Sequence, residues 1–401
     1  FSCFFIIFAD GMRKGLLYIV LSFLLSVSAV AGTGQAVCAD SVQISLLTCS
    51  PGEEVWAQYG HTAIRYRDRK SGEDLVVNYG IFSQDQPYFI PRFIFGLTDY
   101  RMGVEPMDRF LAQYRYERRG IVEQVLDLSA EDKQAIRSAL QENMKPENIV
   151  YRYNFFFDNC TTRARDMLVD HLHGKVVYPA ADSAATFRSM IHEWNHGYEW
   201  SQFGEDLLLG VNADRKTTKS EQQFLPDNLR RDFARATYNG KPLIKETHTL
   251  LAPQAETDGA DCPFSPLSAA LVFVIVCVVM MTLSNLRRRL YRGWDAVLMT
   301  ASGAMGIVFF LMLFSQHPCV SLNAILFFFN PLPLFFLYAT VWKRKEVWWK
   351  IWCVLIVLGF IGSLFQEVPV PVLIVALFLL LHCILHLRIS RLLPPAQRDR
   401  K

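Results

Sequence analysis

Two short stretches decide how this 401-residue chain is read. They are Tyr59-Gly60-His61-Thr62-Ala63-Ile64-Arg65 and Phe155-Phe156-Phe157-Asp158-Asn159-Cys160-Thr161-Thr162-Arg163. The first runs from a glycine into Thr, Ile and Tyr, residues that suit a pleated strand, and puts His61 at the strand's mouth. The second ends in Asp158-Asn159, good helix caps, and is followed by Ala164, Met167, Leu168 and Leu172 at helical spacing. Cys160 therefore stands at a helix N-terminus, on the apolar face. There the helix dipole and the unpaired backbone N–H groups lower a thiol's pKa and favour the thiolate. The same N–H groups can stabilise an oxyanion formed when the thiolate attacks an ester or amide carbonyl. His61 can act as base and then as acid for the leaving group. Asn78, on the strand paired with that of His61, is the expected group to orient the imidazole. A lone buried cysteine is usually inert packing and a lone histidine polar filler. What sets this pair apart is the convergence of a cap, a helix start, a hairpin histidine and an export signal.

Around these stretches the sequence predicts a mixed α+β domain over residues 40–250. Val42–Thr48, Thr62–Arg67 and Leu75–Tyr79 read as strands, the last two joined by the Ser71-Gly72-Glu73-Asp74 turn. Tyr100–Val104 and Val122–Leu126 are further strand candidates. Ser129-Ala130-Glu131-Asp132 opens a helix reaching Asn143. Tyr151–Phe157 reads as an extended lead-in to Cys160. Phe82–Phe95 is an aromatic, proline-containing loop, richer in large apolar residues than a solvated loop needs, which favours an apolar ligand. Phe89 and Phe93 from this loop, together with Tyr79, are candidate substrate contacts. Arg163 is a candidate contact for a phosphate. Gln202–Leu250 reads as a polar domain tail and linker, continued by residues 251–266.

From residue 267 to 387 the chain is mostly apolar. Leu267–Leu286, Ala296–Ser315, Ala324–Trp342, Val347–Phe365 and Val370–Leu387 are each close to the roughly 20 residues a helix needs to cross a bilayer. They predict an all-α bundle of five transmembrane helices. Arg287, Arg288, Arg289 and Arg292 follow the first span. Lys343, Arg344 and Lys345 follow the third, and Arg388, Arg391, Arg398, Arg400 and Lys401 follow the fifth. The connections 316–323 and 366–371 hold no Lys or Arg. The positive-inside rule therefore puts the three basic segments, including the tail 388–401, in the cytoplasm and the α+β domain outside. Met12-Arg13-Lys14, the apolar run to Ala31 and Ala29-Val30-Ala31 form a secretory signal over residues 1–31, with residues 1–11 as an upstream extension. His382 and His386 lie inside the last span, and Asn330, Pro331 and Pro333 interrupt the third.

Other function classes recede. The net charge of +3 argues against a nucleic-acid surface. Of nine cysteines, Cys3 lies in the upstream extension and Cys277, Cys353 and Cys383 in apolar spans. Cys38, Cys49, Cys160, Cys262 and Cys319 are on or near the exported side, and a Cys38–Cys49 pairing stays open. No CxxC or regular Cys/His ligand spacing is present, and His192/His196 lack the Glu of a zincin helix. No metal and no cofactor is expected. His171 and His173 read as surface residues.

The order of a strand histidine followed by an Asn-Cys helix resembles circularly permuted papain-like enzymes, including NlpC-type peptidases and the lecithin:retinol acyltransferase group. More closely, Tyr59–Arg65, Asn78-Tyr79-Gly80 and Asp158–Arg163 resemble the Lnb N-terminal periplasmic domain family, over about residues 40–250. The five spans match the architecture of that type of lipoprotein N-acyltransferase. The resemblance implies a permuted papain-like fold in a multi-pass protein of the bacterial inner membrane, with its N-terminal domain in the periplasm. It implies ping-pong acyl transfer. Cys160 takes an acyl chain from a membrane phospholipid as a thioester, and His61 helps pass it to the α-amino group of a diacylglyceryl-cysteine lipoprotein. Two readings compete. One is a papain-like cysteine hydrolase, either a peptidoglycan amidase or peptidase or a thioesterase. The other is a non-enzymatic membrane receptor.

Overall fold

Apolar residues on both faces of a strand require cover on both faces. Val42–Cys49 (β1) is buried at every position but one. In a computed structural model, which describes residues 41–52, 54, 57–82, 87–88, 91–92, 95–195, 197–253 and 262–392, β1 is an interior strand of a seven-stranded antiparallel sheet. The remaining strands are β2 (His61–Asp68), β3 (Glu73–Ile81), β4 (Asp99–Pro106), β5 (Ile121–Leu126), β6 (Val150–Arg152) and, after the short β7 (Val176–Val177), β8 (Thr237–Tyr238) and β9 (Lys241–Pro242), the long β10 (Ile244–Leu251). The spatial order is β10-β5-β1-β2-β3-β4-β6, and β7, β8 and β9 form a small second sheet.

Strand alternation sends successive side chains to two different cores. Ile44, Leu46, Ile64 and Val77 pack with Ile136 and Leu140 of α2 (Ala130–Asn143), Ala164 and Leu168 of α3 (Cys160–Val169), and Leu229 and Phe233 of a later helix. Leu47, Cys49, Ala63 and Val76 pack instead with Met107, Phe110 and Tyr114 of α1 (Met107–Tyr116). The domain is therefore layered, helix–sheet–helix. Arg65, the last residue of the first motif, is structural. Its guanidinium reaches Asp74 (2.6 and 2.7 Å) and Glu123 (3.0 and 3.2 Å), bolting the β2–β3 hairpin to β5.

The strands and helices expected up to residue 172 are present. The lead-in to Cys160 is shorter, because only Val150–Arg152 pairs with β4 and the chain then turns through an Asn154–Asp158 bridge. The larger difference concerns Gln202–Leu250, which is folded core and not a tail. It holds α5 (Glu199–Leu208), which follows α4 (Phe187–His192), then α6 (Lys219–Gln222), α7 (Pro226–Arg235) and the edge strand β10. Phe224, Leu225, Leu229, Phe233 and Leu243 are nearly solvent-free. The polar composition misleads because its charges are paired: Arg188 is wholly buried between Asp206 (2.7 Å) and Asp214 (2.6 Å).

In the apolar half, α8 (Pro266–Arg287), α9 (Arg292–Met312), the stretch 325–342 and α13 (Val370–Leu392) are long and apolar enough to cross a membrane, and α12 (Val347–Gly362) is a shorter apolar helix. The stretch 325–342 is broken, as its prolines predict, into α10 (Ile325–Phe328), α11 (Leu332–Leu337) and a π turn, Tyr338–Trp342. Gly306 of α9 lies against this break. A Cβ there would sit 2.1 Å from the Asn330 backbone carbonyl carbon, so only glycine lets the two segments meet.

The two Lys/Arg-free connections dock onto the α+β domain. Gly210 N–H donates to the Cys319 carbonyl (2.8 Å) and Val211 N–H to that of Leu322 (2.8 Å). Asn323 donates to the Leu207 carbonyl (2.8 Å) and Gln366 to that of Leu209 (3.1 Å). Gln316 N–H donates to the carbonyl of Phe95, at the end of the aromatic loop (3.0 Å). The signal segment, Cys38, Phe89, Phe93, His196, residues 254–261 of the linker and residues 393–401 of the tail lie outside the described residues.

Candidate active site

Gly60 prepares the position of His61. Its φ is +78°, and a Cβ would come within 2.5 Å of the Cys49 carbonyl oxygen, so the Tyr-Gly-His sequence enters β2 by a turn only glycine makes. Tyr59 anchors the same turn through Glu205 Oε2 (2.6 Å) and Asn195. Ala63 is the cross-strand partner of Asn78, so His61, two residues earlier, is a diagonal neighbour of Asn78. His61 Nε2 and Asn78 Oδ1 are 3.0 Å apart. Asn78 Nδ2 in turn donates to Glu105 Oε1 on β4 (2.8 Å). Glu105 was not foreseen. Its signal was present, because Glu105 lies on β4 opposite Val76, two residues from Asn78.

Cys160 is the first residue of α3. Asn159 caps the helix, its Oδ1 accepting from the N–H groups of Thr161 (2.8 Å) and Thr162 (2.9 Å), while Thr162 Oγ1 accepts from the Asn159 N–H (2.9 Å). Such a cap contributes about 1 kcal/mol. It also consumes the Thr161 and Thr162 N–H groups expected to face an oxyanion. Thr62 Oγ1 and Thr161 Oγ1 lie 3.0 Å apart and tie β2 to α3, which fixes the cysteine against the histidine. Gly80, in a left-handed conformation at a register shift of β3, passes beside the Cys160 side chain.

Electrostatics follow from this packing. Burial alone would raise the Cys160 pKa. The charge and hydrogen bond of His61, the Thr62 N–H and the Thr161 hydroxyl outweigh burial and bring the thiol down to about 7. Burial alone would lower the His61 pKa. The charge and hydrogen bond of the Cys160 thiolate, with the Asn78 contact, lift it above its ordinary value. Each group thus favours the charged form of the other. With Nε2 on Asn78, Nδ1 is the ring nitrogen left for the sulfur. Burial raises Glu105 above the usual carboxylate range, against Arg109, Asn78 and His61. By contrast Cys49, the cross-strand neighbour of His61, is a free buried thiol whose pKa burial pushes up to about 12.

The pair opens on a cavity of about 860 Å³, lined among others by Asn78, Phe82, Tyr100, Tyr153, Phe155 and Leu225. Among the other expected contacts, Tyr79 forms part of its wall, with its hydroxyl on Asn143 Oδ1 (2.7 Å). Arg163 does not line this cavity. It forms two hydrogen bonds with Asp158 (2.6 and 2.8 Å), stacks over Tyr151 at 3.5 Å, and lines a separate cavity of about 670 Å³. His173 is held by Asp132 and His192 by Asp206, each at 2.9 Å. Among the described residues no cluster of His, Cys, Asp or Glu has the geometry of a metal site.

Fold and site together define a membrane protein with an α+β domain that carries a partly buried cysteine–histidine pair. A family model described as the Lnb N-terminal periplasmic domain matches residues 33–192, and one described as the Lnb transmembrane domain matches residues 256–392. The chain belongs to the Lnb family, a membrane protein with a periplasmic domain. Neither the comparison with curated proteins nor that with solved structures returned a match.

Proposed function

We propose that the chain is a lipoprotein N-acyltransferase acting in lipoprotein maturation at the bacterial inner membrane. Its carrying observation is the Cys160–His61–Asn78 array at a roomy, partly aromatic cavity, in a domain hydrogen-bonded to the Lys/Arg-free loops of an apolar helical bundle. In the first half-reaction the Cys160 thiolate attacks an acyl ester of a phospholipid. A C–S bond forms, the ester C–O bond breaks, and the imidazolium of His61 gives its proton to the departing lysolipid oxygen. In the second, His61 takes a proton from the α-amino group of a diacylglyceryl-cysteine. The amine forms an amide with the acyl carbon, and the thiolate leaves. Asn78 keeps the imidazole oriented, and the Cys160 N–H is the oxyanion donor left at the helix start.

In this reading the domain is a permuted papain-like fold spanning residues 40–250, since its histidine strand precedes the cysteine helix. Residues 1–31 are its export signal, and all five apolar segments cross the membrane, α12 included. The basic connections and the tail 388–401 face the cytoplasm, which agrees with the docking of the two Lys/Arg-free connections onto the α+β domain. Phe82 is on the cavity wall and Phe95 at the bundle, so the two ends of the aromatic loop lie at the thiol's cavity and at the membrane half. A papain-like hydrolase would use the same pair. Full-length protein in phospholipid micelles, given either a diacylated lipopeptide or muropeptides, separates the two. Lysophospholipid and N-acylated lipopeptide support acyl transfer, whereas muropeptide cleavage without lipid products overturns it.

A further inference from the structure

The Cys160 cavity contains a cation that neither the catalytic pair nor the sheet uses. From the last turn of α1 to the start of β5 the chain reads Arg115-Tyr116-Glu117-Arg118-Arg119-Gly120, three arginines against one acid. Arg118 and Arg119 both line the cavity. Arg118 is exposed, with a φ of +57°. The Arg119 side chain is 10% exposed. Its Nε donates to the Ser50 carbonyl (2.9 Å), one terminal nitrogen pairs with Glu117 (2.9 Å), and the guanidinium lies 4.6 Å from the Tyr114 ring centroid. Gly52 leaves room for this, since a Cβ there would press on the Arg119 Cδ at 3.1 Å. The other terminal nitrogen is buried and, among the described residues, has no partner. A guanidinium donor withdrawn from water and left unpaired costs free energy unless a ligand supplies the acceptor. Arg119 also lies within electrostatic reach of His61, so an anion held there is near the reacting thiol. Glu54, Glu105 and Glu117 share the cavity wall, and Glu117 is already committed to Arg119.

We infer that Arg119 is an anion subsite of the Cys160 cavity and that its ligand is the phosphodiester of the glycerophospholipid donor. A planar guanidinium with a spare N–H suits a phosphate oxygen, and Arg118 adds a second positive charge at the rim. The inference rests on the acyl-transfer reading and sharpens it. Donor and acceptor lipids both carry acylated glycerol, but only the donor carries phosphate beside it. A cation at this point distinguishes the two lipids that take turns in one cavity, and does the work expected of Arg163.

The test uses the full-length protein in uncharged detergent micelles. These contain either dioleoylphosphatidylglycerol or dioleoylglycerol at equal mole fraction. Acyl-thioester on Cys160 is timed by intact mass, with hydroxylamine release as the check. The native protein should load at least about tenfold faster from the phospholipid, and Arg119→Gln should lower that donor ratio about tenfold, the size of one lost charge-assisted hydrogen bond. Iodoacetamide labelling of Cys160 at the native rate shows that the variant is folded. If it is not, Arg119→Lys, which keeps the charge and loses the fork, carries the same comparison with a smaller fall. Equal loading from both donors by the native protein, or a donor ratio unchanged by substitution, overturns the inference while leaving acyl transfer standing. No thioester from either donor overturns acyl transfer and this inference with it.

Discussion

Two regions of the molecule bury histidines against polar partners, and they differ in what surrounds them. At the first, His61 lies between a thiol and the Asn78 amide and opens on a cavity. At the second, inside the helical bundle, His382 and His386 of α13 both reach Asp295 of α9, at 2.9 and 3.3 Å, and Trp349 stacks on His386. The second cluster lines neither cavity described here. It joins the helices at the end of α9 remote from the docking loop. A buried histidine–carboxylate contact is thus ordinary structural material in this chain. What the first region adds is a thiol at a helix start, an orienting group that leaves one ring nitrogen for it, and space for a substrate, which are the features the proposed chemistry requires.

That contrast can be broken by substitution. Cys160→Ala should abolish acyl transfer and leave the thermal midpoint in detergent near that of the native protein, because Cys160 is only partly buried. His61→Ala should lower turnover by roughly 10²- to 10⁴-fold, read as the rate of thioester formation. Asn78→Ala should cost roughly 10- to 100-fold through misorientation of the ring. Glu105→Gln, one bond further out, should cost less than Asn78→Ala. At the other cluster the effects should be reversed in kind. Asp295→Asn leaves acyl transfer per folded molecule within about twofold while destabilising the bundle by about 3 kcal/mol, since it strands two buried histidines. A large loss of turnover in folded Asp295→Asn protein would erase the distinction between the two clusters.

The pH dependence sharpens the same comparison. The Cys160 pKa is depressed to about 7, so the thiolate is present above that pH and is lost as pH falls through it. Iodoacetamide labelling at Cys160 should therefore rise with an inflection about pH 7 in the native protein. In His61→Ala, with burial unopposed by the imidazolium, the inflection should move above the ordinary thiol value of 9.0. An unmoved inflection would mean that the histidine does not set the thiol's charge. Asp295→Asn should leave the curve where it is.

Much of this was legible in the sequence because it is local. The Asn159 cap, the glycine before His61 and the β2–β3 hairpin each write their geometry into neighbouring residues, and the Cys160–His61–Asn78 cluster followed. The break at Asn330-Pro331 was equally plain. What was hidden is long-range. Glu105 meets Asn78 only through the β3–β4 register. Gln202–Leu250 looked like a tail because its buried charges are answered by partners elsewhere in the chain, as Asp206 and Asp214 are by Arg188. Arg163 resembled a phosphate contact until Asp158 and Tyr151 were seen to occupy it. His382 and His386 acquire their meaning from Asp295, 87 residues before the first of them.

The central claim is that Cys160 delivers an acyl chain to a lipoprotein amine. It is tested most directly by the intact mass of a reporter lipoprotein's N-terminal peptide. The reporter would come from cells that lack their own N-acyltransferase and express either the native chain or Cys160→Ala at equal membrane levels. The expected result is one added acyl mass on the α-amine with the native chain and a free amine with the variant. A free amine with both, or an acylated amine with both, would contradict the account.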